Sequence, residues 1–163
     1  MNGDDWMRDR IGAALRGENP LVIARMRSGF AVIGDYQLMP GYCVLLAAPQ
    51  VNHLSDLPLP ERATFLADMS LLGEAIMSIA QPRRMNYETL GNTDEYLHAH
   101  VWPRYEWEPQ EYRGGPVWRY PREQRFAPAH AYSDERHGEL RHRIGAALQA
   151  LMREHGITGD SWG

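Results

Sequence analysis

Two histidines carry the chemistry most visible in this chain. They stand two residues apart in Tyr96-Leu97-His98-Ala99-His100-Val101-Trp102-Pro103-Arg104, with apolar residues between and after them. Side chains alternate between the faces of a β-strand, so Tyr96, His98, His100 and Trp102 share one face and Leu97, Ala99 and Val101 the other. The second set can pack into a core while the first presents two imidazoles about 7 Å apart at the backbone. An imidazole titrates near neutrality and acts as nucleophile or proton donor, so the pair suits transfer of a group that needs both. Two solvated histidines on the polar face of a strand also fit the spacing. A metal site would need His53 or Asp35 to complete the ligands. No second cluster of His and Cys supports one, and the sequence predicts neither a metal nor an organic cofactor.

The surroundings of the pair follow a pattern. Gly91-Asn92-Thr93 precedes it and Pro103-Arg104-Tyr105 follows. Upstream come Asp35, the turn Pro40-Gly41, the strand-like Tyr42-Cys43-Val44-Leu45-Leu46-Ala47, then Val51 and Leu54-Ser55-Asp56-Leu57. In this order and spacing, residues 18–107 resemble the histidine-triad (HIT) family of nucleotide hydrolases and transferases. The triad is incomplete: Tyr96 stands at the first histidine position, and Tyr42 stands where many members carry a histidine after the Pro-Gly turn. Val-Trp-Pro-Arg after His100 fixes that register.

The resemblance implies that His98 attacks the α-phosphorus of a purine nucleoside phosphate derivative and forms a nucleotidyl-histidine intermediate. His100 would donate a hydrogen bond or proton towards the bridging oxygen as the leaving group departs. A neutral imidazole avoids the repulsion that a carboxylate nucleophile meets at a phosphoryl centre. The resemblance also places Asp35 against ribose hydroxyls and Asn86, Asn92 and Thr93 against phosphate, as short polar groups at a glycine turn would suit. Tyr42 and Tyr96 are expected beside one another, replacing a histidine–histidine contact that orients His98; the alternative is that they only fill volume. A shared-sheet homodimer is implied as well. A non-catalytic nucleotide-binding module of the same fold, or a scaffold using the aromatic segment Trp102–Tyr120, remain the other readings.

The elements that must position these residues follow from periodicity. Asp5 to Leu15 reads as a short amphipathic helix with acidic residues at its start and Gly17 after its end. Leu21–Arg27 and Phe30–Gly34 flank the turn-like Ser28-Gly29 as a hairpin, and Tyr42–Ala48 is apolar enough for a central strand. Pro60–Ala80 carries Phe65, Met69, Leu72, Ile76 and Ile79 at steps of three and four residues, the stripe of a long helix packed on the sheet. Arg84–Leu90 reads as a strand leading to the histidines. Glu106–Arg125 is rich in Pro, Gly, Trp, Tyr and Arg, an ordered loop or tail whose Trp107, Trp118 and Tyr120, with Trp102, are expected exposed at a dimer contact or the site mouth. Ser133–His155 reads as a second helix with Ser133 as its N-cap. The string Arg-Ile-Gly-Ala-Ala-Leu occurs at 10–15 and at 143–148 without flanking similarity, two helices of like composition and not a repeat. The fold expected is α+β: an antiparallel sheet of about five strands, one long packed helix and terminal helices. Residues 1–163 read as one domain, with a core over 18–107 and an aromatic-rich loop and C-terminal helix over 108–163.

Composition narrows the function. A chain of 163 residues buries a real core. Its net charge of −4 and lack of a Lys/Arg block argue against nucleic acid polymers as partners. No apolar run approaches membrane-spanning length by sequence, and Met1-Asn2-Gly3-Asp4-Asp5 lacks the order of a signal peptide. Cys43, the only cysteine, cannot form an internal disulfide. These features predict a cytoplasmic protein with no membrane partner.

Overall fold

A stretch of five antiparallel strands forms the frame on which both histidines are held. The computed structural model describes residues 5–157. Strands β1 (Val22–Met26) and β2 (Gly29–Ile33) form the expected hairpin. Strand β3 (Cys43–Ala47), helix α2 (Leu59–Ala80), β4 (Arg84–Glu88) and β5 (His98–Arg104) follow, and the sheet runs β1-β2-β3-β5-β4 with every pair antiparallel. The histidine strand is therefore internal, paired with β3 on one side and β4 on the other. Tyr96 lies just before it, outside the ladder.

The N-terminal helix is not continuous. A 3-10 turn at Asp5–Arg8 precedes α1 (Arg10–Leu15), because the Asp9 carboxylate accepts from Gly12 N at 2.9 Å and caps the second segment. This local bond competes with helix propagation through residue 9.

The two faces of the sheet have different covers. On one face, Leu45, Ala99 and Val101 pack with Phe65, Leu72 and Ile76 of α2 and with Ile144 and Leu148 of α5 (Asp134–Glu154), all fully or nearly fully buried. Met69 and Ile79 of the expected stripe lie at its half-buried margin. Truncating Phe65 here costs about 3–5 kcal/mol by lost contacts and cavity formation. One buried position of α2 is polar. Asp68 accepts from the Arg27 guanidinium at 2.8 Å and from Ser28 N and Oγ, both at 2.8 Å, so its charge is compensated and the β1–β2 turn is tied to the helix. Although no apolar run of that length was expected from the sequence, α2 is long and apolar enough to cross a membrane by length and composition. Here one side of it is core, and its Asp68 pairs with the sheet.

The other face is covered by the segment after β5. It runs through α3 (Gln110–Arg113), a 3-10 turn at Val117–Arg119 and α4 (Arg122–Arg125) before reaching α5. Met39, Tyr42, Trp102, Tyr105, Val117 and Tyr120 form a second apolar cluster beneath it. Trp102 and Tyr120 are thus buried, at 6% and 4% exposure, and not exposed as composition suggested; Trp107, at 60%, is. The segment is anchored by a buried ion pair: Arg104 donates to both Glu108 oxygens, at 2.9 and 2.7 Å, and also to Asn86 Oδ1 and the Tyr112 and Gly115 carbonyls. Glu108 accepts further from Tyr105 N and the Tyr120 hydroxyl. Burial alone would raise the Glu108 carboxyl. The bonds from Arg104, Tyr105 and Tyr120 outweigh it and hold the carboxyl below its usual range.

Candidate active site

The register of β3 on β5 decides what surrounds the histidines. Val44 lies opposite His100 and Leu46 opposite His98, so apolar side chains flank both imidazoles on the face beneath the covering segment. The two rings meet edge to face with centroids 4.8 Å apart. They open into a cavity of about 800 Å³, a volume suited to a nucleotide-sized ligand.

His98 is oriented by the backbone. Its Nδ1 lies 2.8 Å from the Tyr96 carbonyl oxygen. A carbonyl can only accept, so Nδ1 carries the proton and Nε2 of the neutral ring carries the lone pair. That tautomer is the nucleophilic one for attack through Nε2.

His100 is oriented by a side chain. Its Nδ1 lies 2.6 Å from the hydroxyl of Tyr42. Tyr42 is buried, and burial keeps the phenol protonated well above its ordinary range. The hydroxyl has no other acceptor among the described residues, so it donates to Nδ1 and the His100 proton sits on Nε2. Burial, and then the neighbouring His98, push His100 down to about 4. At neutral pH it is an uncharged imidazole whose Nε2–H donates a hydrogen bond.

The Pro40-Gly41 turn delivers Tyr42 to this position. Gly41 has φ +93°, a conformation that favours glycine, and the Tyr105 hydroxyl donates to the Pro40 carbonyl. Gln37 completes the turn, donating to the Gly34 and Tyr42 carbonyls while accepting from Gly41 N. The Tyr42 ring stacks on Trp102.

Most of the residues singled out from sequence meet here. Asp35, Asn92 and Thr93 line the same cavity as Tyr42, Tyr96, His98 and His100. Asn86 does not. It lies opposite Trp102 on β4, and its Oδ1 accepts from Arg104 at 3.0 Å, so it serves the anchor of the covering segment and not the cavity. The expected contact between Tyr42 and Tyr96 is also absent among the described residues. Tyr42 reaches His100 instead, and the Tyr96 ring tilts against His98 with centroids 5.2 Å apart.

Arg10, Arg122, Arg125 and Phe126 line the cavity without having been singled out from sequence, whereas Trp118 was expected at a dimer contact or the site mouth. Arg10 of α1 forms a two-point ion pair with Asp35, Nη1 to Oδ1 at 2.9 Å. From the covering segment, Trp118 meets His100 edge-on at 5.4 Å and donates its Nε1–H to Glu88 at 2.6 Å. Arg122, Arg125 and Phe126 complete the rim. The composition change after Tyr105 was the only signal for this wall. Among the described residues no group of three His, Cys, Asp or Glu side chains is placed to hold a metal ion.

No family model matches the chain. A 97-residue segment, 56% of this chain, is 30% identical to AP-4-A phosphorylase of two Mycobacterium tuberculosis strains, and the match spans only half the length of those relatives. Among solved structures, a histidine triad protein from Marinobacter aquaeolei VT8 is similar with a TM-score of 0.68 at 22% identity, over 88% of this chain and 95% of that one. A histidine triad (HIT) protein from Sinorhizobium meliloti 1021 is similar with a TM-score of 0.65 at 20% identity, over 78% and 88% of the two chains.

Proposed function

We propose that this chain, which has the histidine-triad fold, is a nucleotide hydrolase or nucleotidyltransferase that acts at the α-phosphate of a nucleoside phosphate derivative. The observation that carries the proposal is the bond from His98 Nδ1–H to the Tyr96 carbonyl, which leaves Nε2 as a lone-pair donor in a ring that lines the cavity. The partial match to AP-4-A phosphorylase supports the same substrate class.

In the proposed reaction His98 Nε2 attacks the α-phosphorus and the leaving group departs with the bonding electrons. The ring becomes cationic as the N–P bond forms, and the Tyr96 carbonyl accepting from Nδ1–H stabilises that charge. His100 Nε2–H donates a hydrogen bond to the bridging oxygen as negative charge develops there. Water or a second acceptor then attacks phosphorus from the opposite side, the N–P bonding electrons return to Nε2 to restore neutral His98, and the proton of the attacking group passes to solvent. Asn92 and Thr93 stand on the turn that would hold the phosphate oxygens. Asp35 stands where a ribose hydroxyl could donate to it, with Arg10 sharing the carboxylate.

Intact-protein mass spectrometry after brief mixing with an activated adenylate tests the reading. A nucleotidyl adduct on the wild-type chain and none on His98→Ala is the expected result. Saturable AMP binding by both proteins with no adduct on either would replace it with a nucleotide-binding module.

A further inference from the structure

The arginines around the cavity differ in how their charge is met. Arg10 is paired with Asp35. Arg122 and Arg125, one turn apart on α4, have no carboxylate partner among the described residues, yet both line the cavity that holds His98 and His100. Each guanidinium lies over an aromatic ring. Arg122 lies 5.0 Å from the centroid of Phe126, and Arg125 lies 5.0 Å from Trp118 and 5.3 Å from Phe126. Arg125 Nε also donates to the Tyr120 carbonyl at 3.1 Å, which leaves its two terminal amino groups without a partner among the described residues.

This arrangement adjoins the histidines. Trp118 contacts both groups, its ring lying 5.4 Å from that of His100 and 5.0 Å from the Arg125 guanidinium carbon, so one side chain bridges the two. Phe126 meets Tyr36, the neighbour of Asp35, edge to face at 5.1 Å. Tyr120 and Val117 beneath α4 are buried, and Glu108 fastens Tyr120 through its hydroxyl. The aromatic contacts and the Tyr120 carbonyl restrict where these side chains can point, which lowers the entropy cost of recognising a ligand. Burial, and then the adjacent Arg122, lower the Arg125 pKa from its ordinary value, as expected of positive charge without a counter-ion.

We propose that Arg122 and Arg125 form a subsite for a second anionic group of the substrate, a phosphate or polyphosphate on the leaving-group side of the scissile bond. This rests on the nucleotide reading above. Planar guanidiniums are matched to phosphate oxygens and bind them in pairs of charge-assisted hydrogen bonds. A leaving group held this way departs as an anion stabilised by fixed positive charge. That suits a neutral His100, which offers a hydrogen bond in place of an acidic proton. The site would accordingly prefer substrates whose leaving group is a nucleotide or polyphosphate over those whose leaving group is an amine.

The test is a comparison of two ligands on three forms of the full chain. The ligands are AMP and a non-hydrolysable diadenosine tetraphosphate analogue. The forms are wild type, Arg122→Gln/Arg125→Gln and Arg122→Lys/Arg125→Lys, with affinity measured by calorimetry at low and high salt. The expected result is that wild type binds the tetraphosphate at least roughly tenfold tighter than AMP. That advantage shrinks with salt, disappears in the Gln pair and is partly kept in the Lys pair, while AMP affinity is unchanged in all three. Equal affinity of wild type for the two ligands, an advantage intact in the Gln pair, or a parallel loss for both ligands would overturn the subsite while leaving the nucleotide reading in place. Inorganic tripolyphosphate separates the remaining case: arginine-dependent binding of it without AMP binding would retain the anion site and remove the nucleotide reading. No binding of any of the three would remove both.

Discussion

The ring of Tyr42 lies flat on Gly34. A β-carbon at Gly34 would stand 2.1 Å from Tyr42 Cδ1, closer than any side chain permits. Gly34 thus determines how far the phenol can reach towards His100, although it touches no ligand-facing nitrogen itself. Gly34→Ala is expected to push the ring away and lengthen the hydroxyl bond to Nδ1. It should lower kcat/KM about tenfold while the thermal midpoint moves by only a few degrees, which enzyme assay and calorimetry on one sample would check. Unchanged activity would detach Tyr42 from the reaction.

Removing the hydroxyl alone is the cleaner test of the tautomer. Tyr42→Phe keeps the ring and its stack on Trp102 but deletes the donor to His100 Nδ1. The protonated nitrogen of His100 should redistribute, visible in the ¹⁵N shifts of the ring. The rate should fall about tenfold, the worth of one buried hydrogen bond at the upper end of its range. A fall with no change in the shifts would mean that the phenol acts by packing.

The position of His100 also predicts how the fold responds to acid. In the unfolded chain this ring takes its proton near its ordinary value of 6.5, whereas in the fold it does so only at about 4. Between these values the unfolded state binds more protons, so stability falls as pH drops through the window and this group causes no further loss below about 4. His100→Gln removes the dependence. The difference in unfolding midpoint between variant and wild type should therefore narrow from pH 7 to pH 4; a constant gap would show that His100 is not held neutral.

The Arg104–Glu108 pair should behave as buried pairs do when one member is lost. Arg104→Met leaves the Glu108 charge without its main partner and is expected to cost about 3–5 kcal/mol in chemical denaturation. Combining it with Glu108→Leu should restore much of that, since the strain lies in the unpaired charge. A double variant no better than the single one would show that the covering segment depends on the pair itself.

Strand and helix positions were largely readable because they rest on local periodicity. The run Tyr42–Ala48 became β3, and the stripe through Phe65, Leu72 and Ile76 became the core side of α2. The places where reading failed are those set by distant partners. Nothing near Asn86 in the sequence announces that Arg104 takes its carbonyl oxygen, and nothing near Asp35 announces Arg10. The break at Asp9 was local but hidden, because one carboxylate turned back to Gly12 N and ended a helix that the apolar spacing continued. The aromatic segment was seen as a composition change, yet its role as a wall depends on the buried Arg104–Glu108 pair four residues apart and on the bond from Arg104 back to Asn86.

The first position of the histidine run holds a tyrosine, and its part in aiming His98 is played by a main-chain oxygen. Every amino acid brings that oxygen, so the orientation of the His98 ring does not depend on which side chain occupies residue 96. Substitutions there can drift without turning the imidazole, provided the chain keeps its bend before the strand. Tyr96→Phe and Tyr96→His should accordingly both retain adduct formation in the mass-spectrometric assay. A proline at Leu97 should abolish it, because it would remove the amide that donates to the Val51 carbonyl and holds that bend against the neighbouring chain. A motif named for three side chains would then rest, in this chain, on two side chains and the path of the backbone between them.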